Sequence, residues 1–306
     1  MIYKNFDQLI ERVQADKHEK KIVAVMAAED SHTLEAVCQA ARVGAVAPLL
    51  IGDKATMRSQ LEELGERPSD YTLVHAETRE DVVVKAAQLV NSGEAHFLMK
   101  GLIQTSEMMK TLLSDKCGFR TDFQMSHLGI VDIPNYHKLV GITDSALNIY
   151  PDLDQKKAMI KNAVGAMLRM GFDAPKVAVL AAVEQVNKKM PETLDAAALK
   201  EMNASGEISG CIVEGPISYD LAISRESAEL KGFESPVCGD VDLLVAPNIA
   251  AANILLKALR YSAEASSAGF VVGGKVPLVL TSRAAEAGSK YLPLVLAAAA
   301  SAQIDR

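Results

Sequence analysis

Asp242-Leu-Leu-Val-Ala-Pro-Asn248 opens the stretch whose reading decides the fold; an Ala-rich helical pattern follows, ending Lys257-Ala-Leu-Arg260-Tyr261, then Gly273-Gly274-Lys275 and Leu280-Thr281-Ser282-Arg283. Two apolar strands, each ending in polar or glycine residues, flank one helix with basic residues in its last turn. In α/β proteins such strand ends gather at one edge of a parallel sheet, where ligands bind. The Ser282-Arg283 pair is the sharpest feature. A hydroxyl beside a planar, permanently charged guanidinium suits the oxygens of a phosphate-bearing substrate.

Outward from this stretch, short apolar runs alternate with helical patterns. Ile22-Val-Ala-Val-Met26, Val46-Ala-Pro-Leu-Leu-Ile51, Tyr71-Thr-Leu-Val-His75 and His96-Phe-Leu-Met99 read as strands, with helices over 31–43, 54–64 and 78–91 between them. Thr78 and Asp81 form a capping box at the start of the third helix. This alternation predicts βαβ units and a mainly parallel sheet covered on both faces. After Asp115 the rhythm changes: runs at 128–133 and 139–143 are joined by Pro134-Asn-Tyr-His-Lys138, an antiparallel hairpin, and a long helix over 154–170 follows. Strands then resume at 177–180, 211–213, 243–245, 270–272 and 278–280. The change of pattern places a domain boundary near 122–125.

The length of 306 residues favours two domains at roughly 150 residues each. A net charge of −7 argues against nucleic acid or an anionic membrane as partner, since those need a dominant basic face. Cys38, Cys117, Cys211 and Cys238 are widely spaced and form no Cys-x-x-Cys pair, which fits a reducing compartment. The first 21 residues mix charged with apolar side chains and have no signal-type core, and no apolar run reaches the roughly 20 residues of a membrane helix. The expectation is a soluble, cytoplasmic protein.

Several motifs carry candidate chemistry. Lys100-Gly101 follows a strand and leads, through Thr105 and Ser106, into a helix containing Lys110; glycine, hydroxyls and a helix N-terminus together suit an anion, although Thr105 or Ser106 capping the helix explains the same residues. Gly269 to Lys275 matches most of a nucleotide-phosphate loop but fails at Val276 and Pro277, so it reads as a passage between strands. The six histidines show no zinc spacing. His127, after Ser126 at the start of the hairpin, is the one histidine weighed for function. Asp144, with Asn148, and Glu214 place carboxylates where apolar backbone stops; each alone is more often a cap or loop anchor. No nucleophile elbow or dinucleotide fingerprint is present.

Taken in order, Lys100-Gly101, Gly141 to Pro151, Ala181-Ala-Val-Glu184-Gln-Val-Asn187, Met190-Pro-Glu-Thr193, Glu214-Gly-Pro216, Ala246-Pro-Asn248, Asn253-Ile-Leu and Leu280-Thr-Ser282-Arg283 resemble the phosphate butyryltransferases. These belong with the phosphate acetyltransferases to the phosphate acyltransferase family, and the resemblance runs from about residue 22 to 291. It implies an α/β protein of two α/β/α domains with mainly parallel sheets, like isocitrate and isopropylmalate dehydrogenases, with the active site in the interdomain cleft. Residues 1–124 and 271–306 would form the first domain and 125–270 the second.

The resemblance also implies interconversion of acyl-CoA plus inorganic phosphate with acyl phosphate plus free coenzyme A, by a homodimer or larger homo-oligomer. Ser282 and Arg283 match the family's Ser-Arg pair, near the thiol and the phosphoryl group. Lys100, Gly101, Thr105, Ser106, Lys110, Ser126, His127, Asp144, Asn148, Glu214 and Asn248 are the expected substrate- or phosphate-binding residues. Lys110 stands where the acetyl-transferring relatives have Arg. The segment 284–290 lacks their Asp, a proposed base for the thiol, and offers Glu286 alone. Direct transfer in a ternary complex requires no cofactor or metal, coenzyme A being a substrate. Two alternatives remain at this stage: a metal- and NAD-dependent hydroxy-acid dehydrogenase on the same architecture, with Asp240 and Asp242 the nearest approach to a metal cluster, and a non-catalytic coenzyme A-binding homologue.

Overall fold

The computed structural model describes residues 3–15, 20–119, 121, 124–280 and 291–301. The chain divides into two compact units. The first comprises Leu9–Phe123 and Gly269–Arg306, the second Met1–Gln8 and Gln124–Ala268. The opening residues thus cluster with the second unit, apart from the segment that follows them. Tyr3 is the anchor: it is buried, its hydroxyl donates to Met170 O at 2.7 Å, and its carbonyl accepts from Leu139 N at 2.8 Å.

In the first unit, β1 (Lys21–Met26), β2 (Val46–Gly52), β3 (Thr72–His75), β4 (Phe97–Lys100), β10 (Ser266–Val272, from Gly269 onward) and β11 (Leu278–Leu280) lie in the order β3-β2-β1-β4-β11-β10. Neighbours are parallel except β10 with β11. Val23, Ala24, Val25 and Met26 of β1 and Phe97, Leu98 and Met99 of β4 are fully buried. Strands covered on both faces read as unbroken apolar runs, which is why they were visible in sequence. Helices α2 (Ser31–Arg42), α3 (Lys54–Glu63) and α4 (Arg79–Asn91) start at Asp30, Asp53 and Thr78, whose side chains cap them. Thr78 accepts from Asp81 N as expected of the capping box, while the Asp81 carboxylate accepts from Glu77 N instead of the N-cap amide. The Ala-rich tail forms α11 (Leu292–Ala300), buried along its length against β1, β2, β4 and β11. Gly273 to Lys275 is indeed a passage between strands: β11 follows it, and Lys275 donates to Asn91 Oδ1 at 2.7 Å.

In the second unit the strand order is β5-β6-β9-β7-β8. The hairpin is β5 (Ser126–Asp132) against β6 (Val140–Thr143), antiparallel; β9 (Leu243–Val245), β7 (Lys176–Leu180) and β8 (Ile212–Ile217) continue in parallel. Helices α6 (Leu153–Arg169), α7 (Pro191–Ala204), α9 (Arg225–Leu230) and α10 (Ile249–Ser262) are among those in this part of the chain. One sequence expectation is corrected: β8 does not stop at 213 but continues through Glu214, Gly215 and Pro216 to Ile217, so Glu214 lies within a strand and not at its end. β9 falls in the second unit and β11 in the first, where β11 runs beside β4.

Asp240 and Asp242 are held by lysines at the amino ends of β6, β7 and β9. Lys138 Nζ, almost wholly buried, lies 2.8 Å from Asp240 Oδ1 and 2.7 Å from Asp242 Oδ1. Lys176 and His137 also bond Asp240. Desolvation raises the Asp240 pKa, but the bonds from Lys138, Lys176 and His137 together outweigh it and hold the carboxyl well below the ordinary range. A carboxyl depressed in the folded state adds stability that is fully present above its unfolded value of about 3.9 and is lost as pH falls towards the folded value. Asp240→Asn is therefore expected to cost about 1.5–3 kcal/mol at pH 7 and to flatten the loss of stability below about pH 4. Urea unfolding at a series of pH values checks both effects.

Candidate active site

The carboxyl ends of β4 and β11 are adjacent. β11 runs parallel to β4 with Leu280 paired to Lys100 and Val279 to Met99. Ser282 and Arg283, two and three residues beyond Leu280, lie outside the described residues. Lys100 Nζ donates to the carbonyls of Gly101 and Ile103, each at 3.1 Å, and so braces the turn leading into α5 (Thr105–Leu112).

Gly101 is required there by close approach. A Cβ at this position would sit 2.4 Å from Ala27 O and 2.7 Å from Met26 O, both main-chain atoms. The same contact carries hydrogen bonds from Gly101 N to Met26 O and from Leu102 N to Ala27 O, each 2.8 Å. The N-cap of α5 is Gln104, whose side chain makes no capping bond, so neither Thr105 nor Ser106 is the cap that sequence reasoning offered as one explanation. Both are exposed on the first turn, and Ser106 and exposed Lys110, four residues apart, share a helix face. Hydroxyls, first-turn N–H groups and an ammonium are the donors an oxyanion needs.

The second unit gathers a different set. Asp144 follows β6 directly and is buried; Oδ1 accepts from Ala146 N at 2.8 Å and Leu147 N at 2.9 Å, while Oδ2 accepts from His127 N at 3.0 Å and Asn148 Nδ2 at 2.6 Å. Four donors thus engage the carboxylate, which shapes the 144–148 turn. Asn148 extends the network, donating to Met125 O at 3.0 Å and accepting from Gln124 Nε2 at 2.7 Å. Ser126, fully buried, accepts from Asn162 Nδ2 at 3.2 Å. His127 Nδ1 lies 3.1 Å from Ser145 Oγ, and desolvation of the ring pushes its pKa below the usual histidine value against the pull of Asp144.

Glu214 and Asn248 have local partners. Glu214 Oε1 accepts from Lys200 Nζ at 2.6 Å and Gly215 N at 3.0 Å. Asn248 caps α10, accepting from Ala251 N at 3.0 Å. A further strand-end residue went unselected in the sequence: Glu184, just past β7, accepts from the Ser218 hydroxyl. Its signal was its place within Ala181 to Asn187. Among the described residues no group of three or more His, Cys, Asp and Glu side chains is arranged to hold a metal ion.

Strand ends and a helix start that can receive an anion, on a two-unit α/β architecture, are the setting, and the chain belongs to the phosphate acetyl/butyryl transferase family: residues 71–298 match the family model described as "Phosphate acetyl/butaryl transferase". It is 41% identical over 286 residues to the phosphate acetyltransferase of Thermotoga maritima, covering 94% of this chain and 97% of that protein. It is 38% identical over 300 residues to the phosphate butyryltransferase of Clostridium beijerinckii, covering 98% and 99% of the two chains. Among solved structures, a branched-chain phosphotransacylase from Enterococcus faecalis V583 matches with a TM-score of 0.80 at 30% identity, over 92% of this chain and 99% of that one. The protein is a transferase, and the resemblance drawn from its motifs holds over nearly the whole chain.

Proposed function

We propose that this protein transfers a short-chain acyl group, butyryl or branched-chain, between coenzyme A and inorganic phosphate. The observation that carries the reading is the pairing of Leu280 with Lys100, in a chain of this family. It sets the last described residue before Ser282-Arg283 beside the stretch that leads to Thr105, Ser106 and Lys110. A phosphate oxygen attacks the thioester carbonyl, the carbon–sulfur bond breaks, and the thiolate leaves to take up a proton; acyl phosphate and free coenzyme A result. Arg283 clamps the phosphate with two parallel hydrogen bonds, and Ser282 donates to the thiolate or the oxyanion. Thr105, Ser106 and Lys110 complete the anion site, while Lys100 and Gly101 fix the turn before them.

In the reverse direction a coenzyme A thiol with a pKa of about 8.5 is only a few per cent ionised at pH 7, so stabilising its thiolate raises the rate. Asp144, Asn148, Ser126 and His127 act as positioning residues for the 144–148 turn, and Glu214 and Asn248 brace β8 and α10. Phosphate-dependent release of free thiol from butyryl-CoA by the purified chain tests the reading. Lys110→Met is expected to raise the KM for phosphate about tenfold, the size of one charge-assisted hydrogen bond, with a smaller change for acyl-CoA. Equal changes in both constants would remove Lys110 from the phosphate site.

The working form is a dimer or larger homo-oligomer of the cytoplasm, in keeping with four cysteines that are all free. α10 supports self-association. Ile254 and Tyr261 are exposed on it, seven residues apart and so on one face. Exposed Ile149 and Tyr150 lie beside the helix start, where Ile249 N donates to Ile149 O at 3.1 Å. Light scattering at micromolar concentration should give at least twice the mass of one chain; the mass of a single chain would contradict this. Among the described residues no helix is long and apolar enough to cross a membrane.

A further inference from the structure

Among the described residues, Leu102 is the one large apolar side chain of the first unit that stands exposed, at 39%. A single exposed leucine is ordinary on a protein surface. Its place here is not. It follows Gly101 just past the carboxyl end of β4, three residues before Thr105 opens α5. In the order β3-β2-β1-β4-β11 the chain steps outward from β1 to β3 and then returns to the other side of β1. β1 and β4 therefore meet at a topological switch point, outside whose strand ends α/β sheets bind their ligands.

The backbone of Leu102 is braced on every side. Its N–H donates to Ala27 O at 2.8 Å, and the carbonyls flanking it, those of Gly101 and Ile103, both accept from Lys100 Nζ at 3.1 Å. Ala27, which supplies the acceptor, is fully buried with φ at 52°, in the left-handed region that a residue with a Cβ keeps only where its surroundings hold it. Strain of this kind clusters at ligand sites. The exposed residues that follow, Gln104, Thr105 and Ser106, are polar. A fixed apolar side chain thus stands beside the donors assigned to phosphate. Acyl phosphate has the same division, with phosphoryl oxygens on one side of its carbonyl and a hydrocarbon chain on the other.

We propose that Leu102 sets acyl-chain preference by packing along the methylenes that butyryl has and acetyl lacks. The assignment rests on the acyl-transfer reading of the enzyme and deepens it, since the anion site itself cannot distinguish one acyl chain from another. Rigid bracing matters to this role: a side chain on a mobile loop would follow acyl groups of any length, whereas one on a fixed turn rewards those that reach it.

The test measures kcat/KM for butyryl-CoA and for acetyl-CoA, with phosphate, in the full chain and its variants. Leu102→Ala should lower the butyryl-to-acetyl ratio about fourfold or more, the worth of one methylene taken out of water. Leu102→Met, which keeps volume and apolarity, should hold the ratio within about twofold. An unchanged ratio in Leu102→Ala, or equal losses with both substrates, overturns the assignment. A second readout does not depend on turnover. The chain has no tryptophan, so Leu102→Trp introduces a single indole, whose emission should move to shorter wavelength with butyryl phosphate and less with acetyl phosphate. Equal shifts with the two, or none, contradict the contact. A chain that releases no thiol with phosphate, yet shows an indole shift that grows with acyl length, sustains the contact and overturns the acyl-transfer reading instead.

Discussion

Arg283→Lys should lower kcat about 100-fold or more, comparable to removing a well-placed oxyanion donor. The cation is kept; the paired hydrogen bonds are lost. A guanidinium presents two parallel N–H donors to two phosphoryl oxygens, so it both orients the nucleophile and follows charge as it moves, whereas an ammonium acts as a point charge. Arg283→Ala should be at least as severe. Ser282→Ala should also be damaging, but through the thiol side, with the KM for phosphate changed less. Steady-state kinetics with both substrates varied separate these effects, and circular dichroism checks that each variant folds. Near-full turnover by Arg283→Lys would place the active site elsewhere.

Gly101→Ala should destabilise the first unit by about 3 kcal/mol, the upper part of the overpacking range, a fall of roughly 5–10 °C in Tm. Added methyl groups are tolerated where a flexible side chain can yield. Here the obstacles are the carbonyl oxygens of Met26 and Ala27, which also accept the hydrogen bonds that hold the 101–102 backbone. Relief therefore requires breaking one of those bonds or displacing the end of β4. Because Lys100 leads into that turn and α5 follows it, the KM for phosphate should rise as well. Thermal unfolding and phosphate titration of the same variant check the two consequences together; an unchanged Tm would mean that the close approach is not maintained.

What could be read in the sequence follows from how locally each feature is determined. Buried parallel strands such as β1 and β4 announce themselves as apolar runs, and Thr78 and Asn248 announce helix starts. The hairpin of β5 and β6 was legible because two apolar runs lay close together around a Pro-Asn turn. Long-range partners were not legible. Glu214 looked like the end of a strand because nothing nearby in sequence reveals that Lys200 neutralises it. Asp240 and Asp242 were no more than the nearest approach to a metal cluster, at the start of an apolar run that suits a structural role; the partners that give them that role, Lys138 and Lys176, are distant in the chain. Asp144 and Asn148 were correctly seen as unusual polar residues at a strand end, but their engagement with His127 N and Met125 O depends on the hairpin's folded path. Tyr3 gave no local sign that it ties the chain start to the second unit. Ser282 and Arg283 remain assignments from motif and family, supported by the register of the strand leading to them.

Acyl-chain preference cannot come from the anion site, and one methylene shifts specificity by only about 1–3 kcal/mol. Neighbouring straight and branched acyl groups should therefore overlap as substrates. The central claim is tested most directly by assaying the purified chain with acetyl-, propionyl-, butyryl-, valeryl- and isovaleryl-CoA, measuring free thiol with and without inorganic phosphate. The expected result is thiol release that depends on phosphate, yields acyl phosphate in equal amount, and is fastest with butyryl- or branched-chain CoA. Release from none of the panel, or release independent of phosphate, would contradict the account.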